Sequence, residues 1–156
     1  MGILLYQIGK TSFNYVDEGV TDYTKRIAKY VPFNLVTLPD IKNAKNLSVE
    51  LFKKKEGEII LSKLKNSDYI ILLDERGKQL NSIEFSNFLQ EKLQSGKQQL
   101  VFIMGGAYGF SEEVYKKADG KISLSRLTFS HQLIRLIFAE QLYRAFTIIK
   151  GEPYHH

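Results

Sequence analysis

Strand-like and helix-like segments alternate along the whole of this 156-residue sequence, which predicts an α/β fold with a mainly parallel sheet flanked by helices. Three observations carry that prediction. The runs Tyr69–Asp74 and Leu100–Met104 are almost unbroken apolar stretches, as in parallel strands buried on both faces. Helix-length segments with apolar spacings of three and four lie between the strand-like runs. The composition, 44% hydrophobic and 25% charged, is that of an ordinary globular domain, so residues 1–156 read as one domain.

The elements follow in order. Ile3–Ile8 is a short apolar run ending at Gly9 and reads as the first strand. Asn14, three residues before Asp17, is a polar helix-start signal. Val16, Val20, Tyr23, Ile27 and Tyr30 then form one apolar face, and Pro32 stops the helix. Phe33–Leu38 is the second strand, closed by Pro39. Residues 40–57 are the most polar stretch, readable as a loop or as the basic front of a helix running to about Leu64. After the Tyr69–Asp74 strand, Asn81 and Glu84 form a capping pair for a helix through Phe85, Phe88, Leu89 and Leu93. Leu100–Met104 runs into Gly105-Gly106-Ala107-Tyr108-Gly109. Ser111 caps a short helix to about Ala118, Lys121–Leu124 is the last strand, and Ser130–Lys150 is a long helix closed by Gly151 and Pro153.

Lys plus Arg number 22 and Asp plus Glu 17, a net +5 that suits an acidic partner such as nucleic acid. The absence of Cys excludes a disulfide scaffold, a Cys-based zinc site and a cysteine nucleophile. No His-Glu-x-x-His spacing exists, so no metal is expected. No apolar run approaches the ~18 residues of a membrane span, and the first run reads as a strand rather than a signal segment. The expected location is the cytoplasm, with no membrane partner.

Gly9-Lys10-Thr11 ends like a phosphate-binding loop, but Leu4 stands where that motif needs its first glycine. The glycines of 105–109 follow a strand and precede a helix, with the wrong spacing and position for a dinucleotide fingerprint. They serve either a tight turn or close backbone approach to a ligand. The segments after Leu73, Met104 and Leu124 all leave strand ends, where open α/β sheets bind ligands, and can converge on one pocket. The final helix carries more apolar residues than one stripe needs, which points to a subunit interface interrupted by Arg135, Glu140 and Arg144.

Four segments together are more specific than any one. They are Leu72-Leu73-Asp74-Glu75-Arg76-Gly77, Phe102–Gly109, Leu124–His131, and Glu140–Phe146 with Pro153-Tyr154-His155-His156. In order and spacing the chain resembles the SPOUT-class methyltransferases of the RlmH (YbeA-like) group, which methylate N3 of a pseudouridine in 23S rRNA. The resemblance covers the whole chain and makes the terminal histidines native rather than a tag remnant. It implies a C-terminal trefoil knot, a homodimer, action on large-subunit rRNA in the assembled ribosome, and S-adenosyl-L-methionine bound in a bent form. Carried onto this sequence, the cofactor residues are Leu73 with Asp74, Gly105 with Gly106, and Leu124, Ser125, Arg126, Leu127, Thr128 and Phe129. The tail completes the active site, which favours Tyr154 and His155 over His131 as a base. Arg135 or Arg144 then stabilises negative charge developing on the uracil carbonyls. Lys42, Lys45, Lys53, Lys54, Lys55, Arg76 and Lys78 are candidates for RNA phosphates, against the alternative of a solvated surface. The competing readings are a relative acting on tRNA and a noncatalytic RNA-binding module of ribosome assembly.

Overall fold

A computed structural model describes all residues, Met1–His156. Five strands form one sheet: β1 (Gly2–Ile8), β2 (Phe33–Leu38), β3 (Asp68–Gln79), β4 (Gln99–Met104) and β5 (Gly120–Ser123). Their order is β2-β1-β4-β3-β5, and every pairing is parallel. Four α-helices connect them and a fifth follows the last strand: α1 (Asn14–Ile27), α2 (Val49–Lys63), α3 (Ser82–Leu93), α4 (Glu112–Lys117) and α5 (Leu133–Ile149). The expected alternation of strand and helix is therefore present from end to end.

The pleat divides each apolar strand between two cores. On β4, Leu100, Phe102 and Met104 join the larger core beneath α1, α3 and α5, while Val101 and Ile103 join the smaller one beneath α2 and α4. On β3, Ile71 faces the first core and Ile70 and Leu72 the second. This is why those runs carry no polar alternation. The α5 helix lies between α1 and α3, with Phe138, Leu142, Ala145 and Phe146 buried in the larger core. Much of its apolar excess is thus taken up within one chain. No helix is long and apolar enough to cross a membrane.

Several boundaries differ from the sequence reading for local reasons. Asn14 is the first helical residue rather than a cap; Phe13 precedes it, with no side-chain cap bond. The polar stretch resolves into a 3-10 turn (Ala44–Asn46) and α2, whose cap is Ser48, accepting from Leu51 N–H at 3.2 Å. Strand β3 continues past Asp74 to Gln79, because Lys78 and Gln79 pair with β5 after a register shift. The last strand ends at Ser123, and α5 begins at Leu133. Ser130 instead caps the preceding turn, its Oγ accepting from Leu133 N–H at 3.1 Å.

The α3 capping box is present, with Glu84 N–H donating to Asn81 Oδ1 and Asn81 N–H to Glu84 Oε2, both at 2.8 Å. Asn81→Ala removes the first bond and strands an amide, so urea unfolding is expected to read a loss of about 1 kcal/mol. A loss below about 0.3 kcal/mol would mean water replaces the cap.

Candidate active site

All strands are parallel, so their carboxyl ends lie on one side of the sheet, and the loops leaving β3, β4 and β5 meet there. They enclose a cleft of about 350 Å³. Leu73 and Asp74 line it from β3, Gly105 and Gly106 from the β4 loop, and Leu124, Ser125, Leu127, Thr128 and Phe129 from the β5 loop. Arg126 is exposed and does not line it. Ile134 on α5, Phe110 and Tyr115 also line the cleft and were not read as ligand-binding residues in the sequence, and Lys53, read as a phosphate contact, lines it too. Lys53 and Arg76 therefore stand at this cleft.

The glycine turn gives the cleft its shape. A Cβ on Gly105 would stand 2.8 Å from the Phe110 ring, and one on Gly106 would collide with the Glu56 carboxylate. Gly109 has φ of 80°, a left-handed conformation that favours glycine. The β5 loop is braced internally: Ser125 Oγ accepts from Leu127 N–H at 2.9 Å, and Ser123 Oγ donates to Ser125 O at 3.0 Å.

Asp74 and Glu75 are the acids of this cleft, and Asp74 is the one tied into it by hydrogen bonds. Its Oδ1 accepts from Arg76 N–H at 2.8 Å, and its Oδ2 accepts from the Tyr115 hydroxyl. Burial and the Asp74 carboxylate push the Tyr115 phenol up to about 12, so it remains a donor. The donor set suits a ligand with a flat, partly apolar ring and polar edges. Leu73, Leu124, Leu127, Phe110 and Ile134 supply apolar walls, and backbone N–H and C=O groups supply the readout. Apolar walls, the Asp74 carboxylate and a turn kept tight by Gly105 and Gly106 fit S-adenosyl-L-methionine.

A second cavity of about 350 Å³ adjoins the first and shares Gly105, Gly106, Ala107 and Ile134 with it. Lys10, Asp40, Glu56, His131 and Arg135 also line it. Arg135 is buried, and its guanidinium donates to Ile8 O at 2.7 Å and Thr11 Oγ1 at 3.0 Å. It ties the end of β1 to α5. Thr11 thus anchors an arginine, and Gly9 takes φ of 73° beside Asp40, so Gly9-Lys10-Thr11 is a strand-to-helix turn rather than a phosphate loop. His131 is exposed at the cavity's edge.

Tyr154, His155 and Arg144 come together elsewhere. Glu140 Oε1 accepts from Arg144 Nη2 at 2.6 Å, from Arg144 Nε at 3.1 Å and from Tyr154 Oη at 3.1 Å. The Arg144 guanidinium stacks over the Tyr154 ring at 4.8 Å and reaches His155 Nδ1 at 3.2 Å. Guanidinium nitrogens only donate, so Nδ1 is the acceptor and the neutral imidazole carries its proton on Nε2. Burial, followed by hydrogen bonds to Tyr23 and Glu140, raises the Tyr154 phenol above its ordinary range. The Tyr154 phenol therefore keeps its proton, and His155 presents its Nε2–H.

This cluster does not line the cleft of its own chain. Arg144 lies ten residues along α5 from Ile134, about 15 Å at 1.5 Å per residue. Glu56 was missed in the sequence because it sits in the lysine-rich stretch read as a loop or as the basic front of a helix. The signal was its spacing of four from both Phe52 and Ile60, which sets it on the inward helix face.

Residues 1–155 match a family model described as "Predicted SPOUT methyltransferase". The chain is 58% identical over 156 residues to Ribosomal RNA large subunit methyltransferase H of Flavobacterium johnsoniae, covering 100% of this chain and 99% of the relative. It is 54% identical over the same span to the protein of that name from Parabacteroides distasonis, again covering 99% of the relative. Among solved structures it resembles a probable methylase family protein from Haemophilus influenzae. The TM-score there is 0.50 at 13% identity, covering 96% of this chain and 66% of that one, a likeness of fold.

Proposed function

The chain belongs to the SPOUT methyltransferase family, and from that premise we propose that it methylates N3 of a pseudouridine in large-subunit ribosomal RNA, using S-adenosyl-L-methionine. The observation that carries this reading is the full-length likeness to relatives named for large-subunit rRNA methylation. The substrate is rRNA in the assembled ribosome, and the working location is the cytoplasm.

S-adenosyl-L-methionine, when bound, supplies an electrophilic methyl group. The chain's own residues bind and orient. The Gly105–Gly106 turn and the braced Leu124–Phe129 loop hold the cofactor through backbone groups, and Asp74 accepts from its polar edge. Pseudouridine N3 is a weakly acidic imide nitrogen that must face the methyl group in line. Holding it there can supply several kcal/mol by itself. The tail adds polarisation: the Nε2–H of His155 donates to a uracil carbonyl, with Arg144 charged behind it, which favours loss of the imide proton to solvent water before the methyl group is taken. His155 is thus a donor rather than the base that the sequence favoured.

Because the tail cluster stands apart from the cleft of its own chain, the working unit is a homodimer in which one copy's tail reaches the other's cleft. Exposed Leu127 (75%) at the cleft, with Phe13 (48%) and Tyr15 (64%) in the segment following Ser12 of the second cavity, provides apolar surface for that contact. The expected trefoil knot belongs to the same reading and involves the β5 loop. Exposed Lys42, Lys45, Lys54, Lys55, Arg76 and Lys78 then meet phosphates, with affinity falling as salt rises.

The test is methyl transfer from labelled S-adenosyl-L-methionine to ribosomes lacking native methylation, beside free rRNA and tRNA. Label confined to large-subunit rRNA of assembled ribosomes is expected. Label in tRNA alone would overturn the substrate, and no label with cofactor binding intact would favour a noncatalytic module.

A further inference from the structure

Glu56, on the inward face of α2, is 2% exposed. Its Oε1 accepts the Gly106 N–H at 3.0 Å, and its Oε2 is buried with no hydrogen-bond partner. An apolar side chain would fill the same space without the penalty of a half-satisfied buried carboxyl. What the carboxyl contributes is therefore its bond to Gly106. That turn has little other support: the one further backbone bond is Gly109 N–H to Gly106 O, at 3.4 Å. The turn is also the wall common to both cavities. Gly57 packs closely against the Ser111 side chain at the start of α4, so α2 is fixed where it delivers the acid.

We propose that Glu56 is a positioning residue that holds the Gly105–Ala107 turn from behind, setting the shape of the methyl-donor cleft without touching its ligand. The proposal rests on the reading of that cleft as the S-adenosyl-L-methionine site. Charged and titratable neighbours come from several elements. Asp40 lies on the connection after β2, Arg135 on α5, Lys53 on α2 itself, and Lys10 and His131 on the far side of the shared cavity. Burial raises the Glu56 pKa, the Gly106 N–H opposes this, and Asp40 adds a smaller increase.

The signs of two pH effects follow. An ionised carboxylate is the stronger acceptor, so the hold on Gly106 weakens as pH falls through the raised folded value. Stability moves the other way. A carboxyl whose pKa is raised on folding contributes stability below its unfolded value and loses it as pH rises through the folded one.

The experiment measures S-adenosyl-L-methionine binding by calorimetry, and thermal melting, for wild type, Glu56→Gln and Glu56→Ala between about pH 5 and pH 9. Wild-type affinity is expected to fall toward acid pH. Glu56→Gln, whose carbonyl still accepts from Gly106, should bind within about threefold of wild type at neutral pH with no pH slope, and should melt higher than wild type at alkaline pH. Glu56→Ala should bind about tenfold more weakly. A role in folding alone moves the melts and leaves the pH slope of binding unchanged between wild type and Glu56→Gln, which overturns the proposal even if Glu56→Ala does not fold. Equal affinity in wild type and Glu56→Ala also overturns it. No binding by wild type overturns the cleft reading and the proposal with it.

Discussion

Deletion of Pro153–His156 is expected to lower single-turnover methyl transfer to ribosomes by at least about 100-fold, the usual scale for losing groups that polarise or transfer protons at a reacting centre. Cofactor affinity should stay within about threefold, because the proposed role of His155 is toward the uracil carbonyl and not toward the cofactor. The deletion removes the Nε2–H of His155 and the ring beneath the Arg144 guanidinium. Glu140 and Arg144 remain paired on α5, so the helix keeps its shape. His155→Gln, which restores an N–H donor, should recover part of the loss if donation is the role. A deletion variant that methylates at the wild-type rate would sink the tail's part in the reaction. Light scattering on the same variant separates lost chemistry from lost dimer.

Phe102→Ala is the substitution expected to damage the fold most. Phe102 is fully buried at the centre of β4, with the Phe138 ring 5.0 Å away and the Phe85 ring 6.3 Å away. These three side chains join the sheet to α5 and α3. Truncation leaves a cavity enclosed by rigid elements, at about 3–5 kcal/mol. That is a large part of the ~5–15 kcal/mol that holds a domain together, and corresponds to a fall in melting temperature of about 10 °C. Denaturant unfolding checks it, and a loss under about 1 kcal/mol would mean that the three helices collapse onto the gap.

How much was legible depended on what fixes each feature. Strand β2 was read with both ends correct because Pro32 and Pro39 flank it. The Asn81–Glu84 box was readable because its pattern is local. The second half of β3 was not: Glu75, Arg76 and Lys78 are polar and exposed, and only pairing with distant β5 makes them strand. Convergence of the three loops was foreseeable from parallel strands with glycine at their ends. The place of Tyr154 and His155 was not, since Glu140 and Arg144 had the spacing of an ordinary helical ion pair. Glu56 was hidden by its neighbours: composition marked the stretch as polar, while spacing marked this one position as buried.

The strand order has a consequence for how the molecule is made. The sheet contains no hairpin, so none of its pairings can form locally. Strand β1 emerges first in synthesis, yet its register with β4 joins Gly2 to Gln99. High contact order of this kind slows folding and keeps apolar edges open to wrong partners. Ile3 and Leu5, fully covered in the finished protein, belong to a core that is complete only when α5, the last helix, has been made. The half-synthesised chain is therefore the state most in need of chaperone protection.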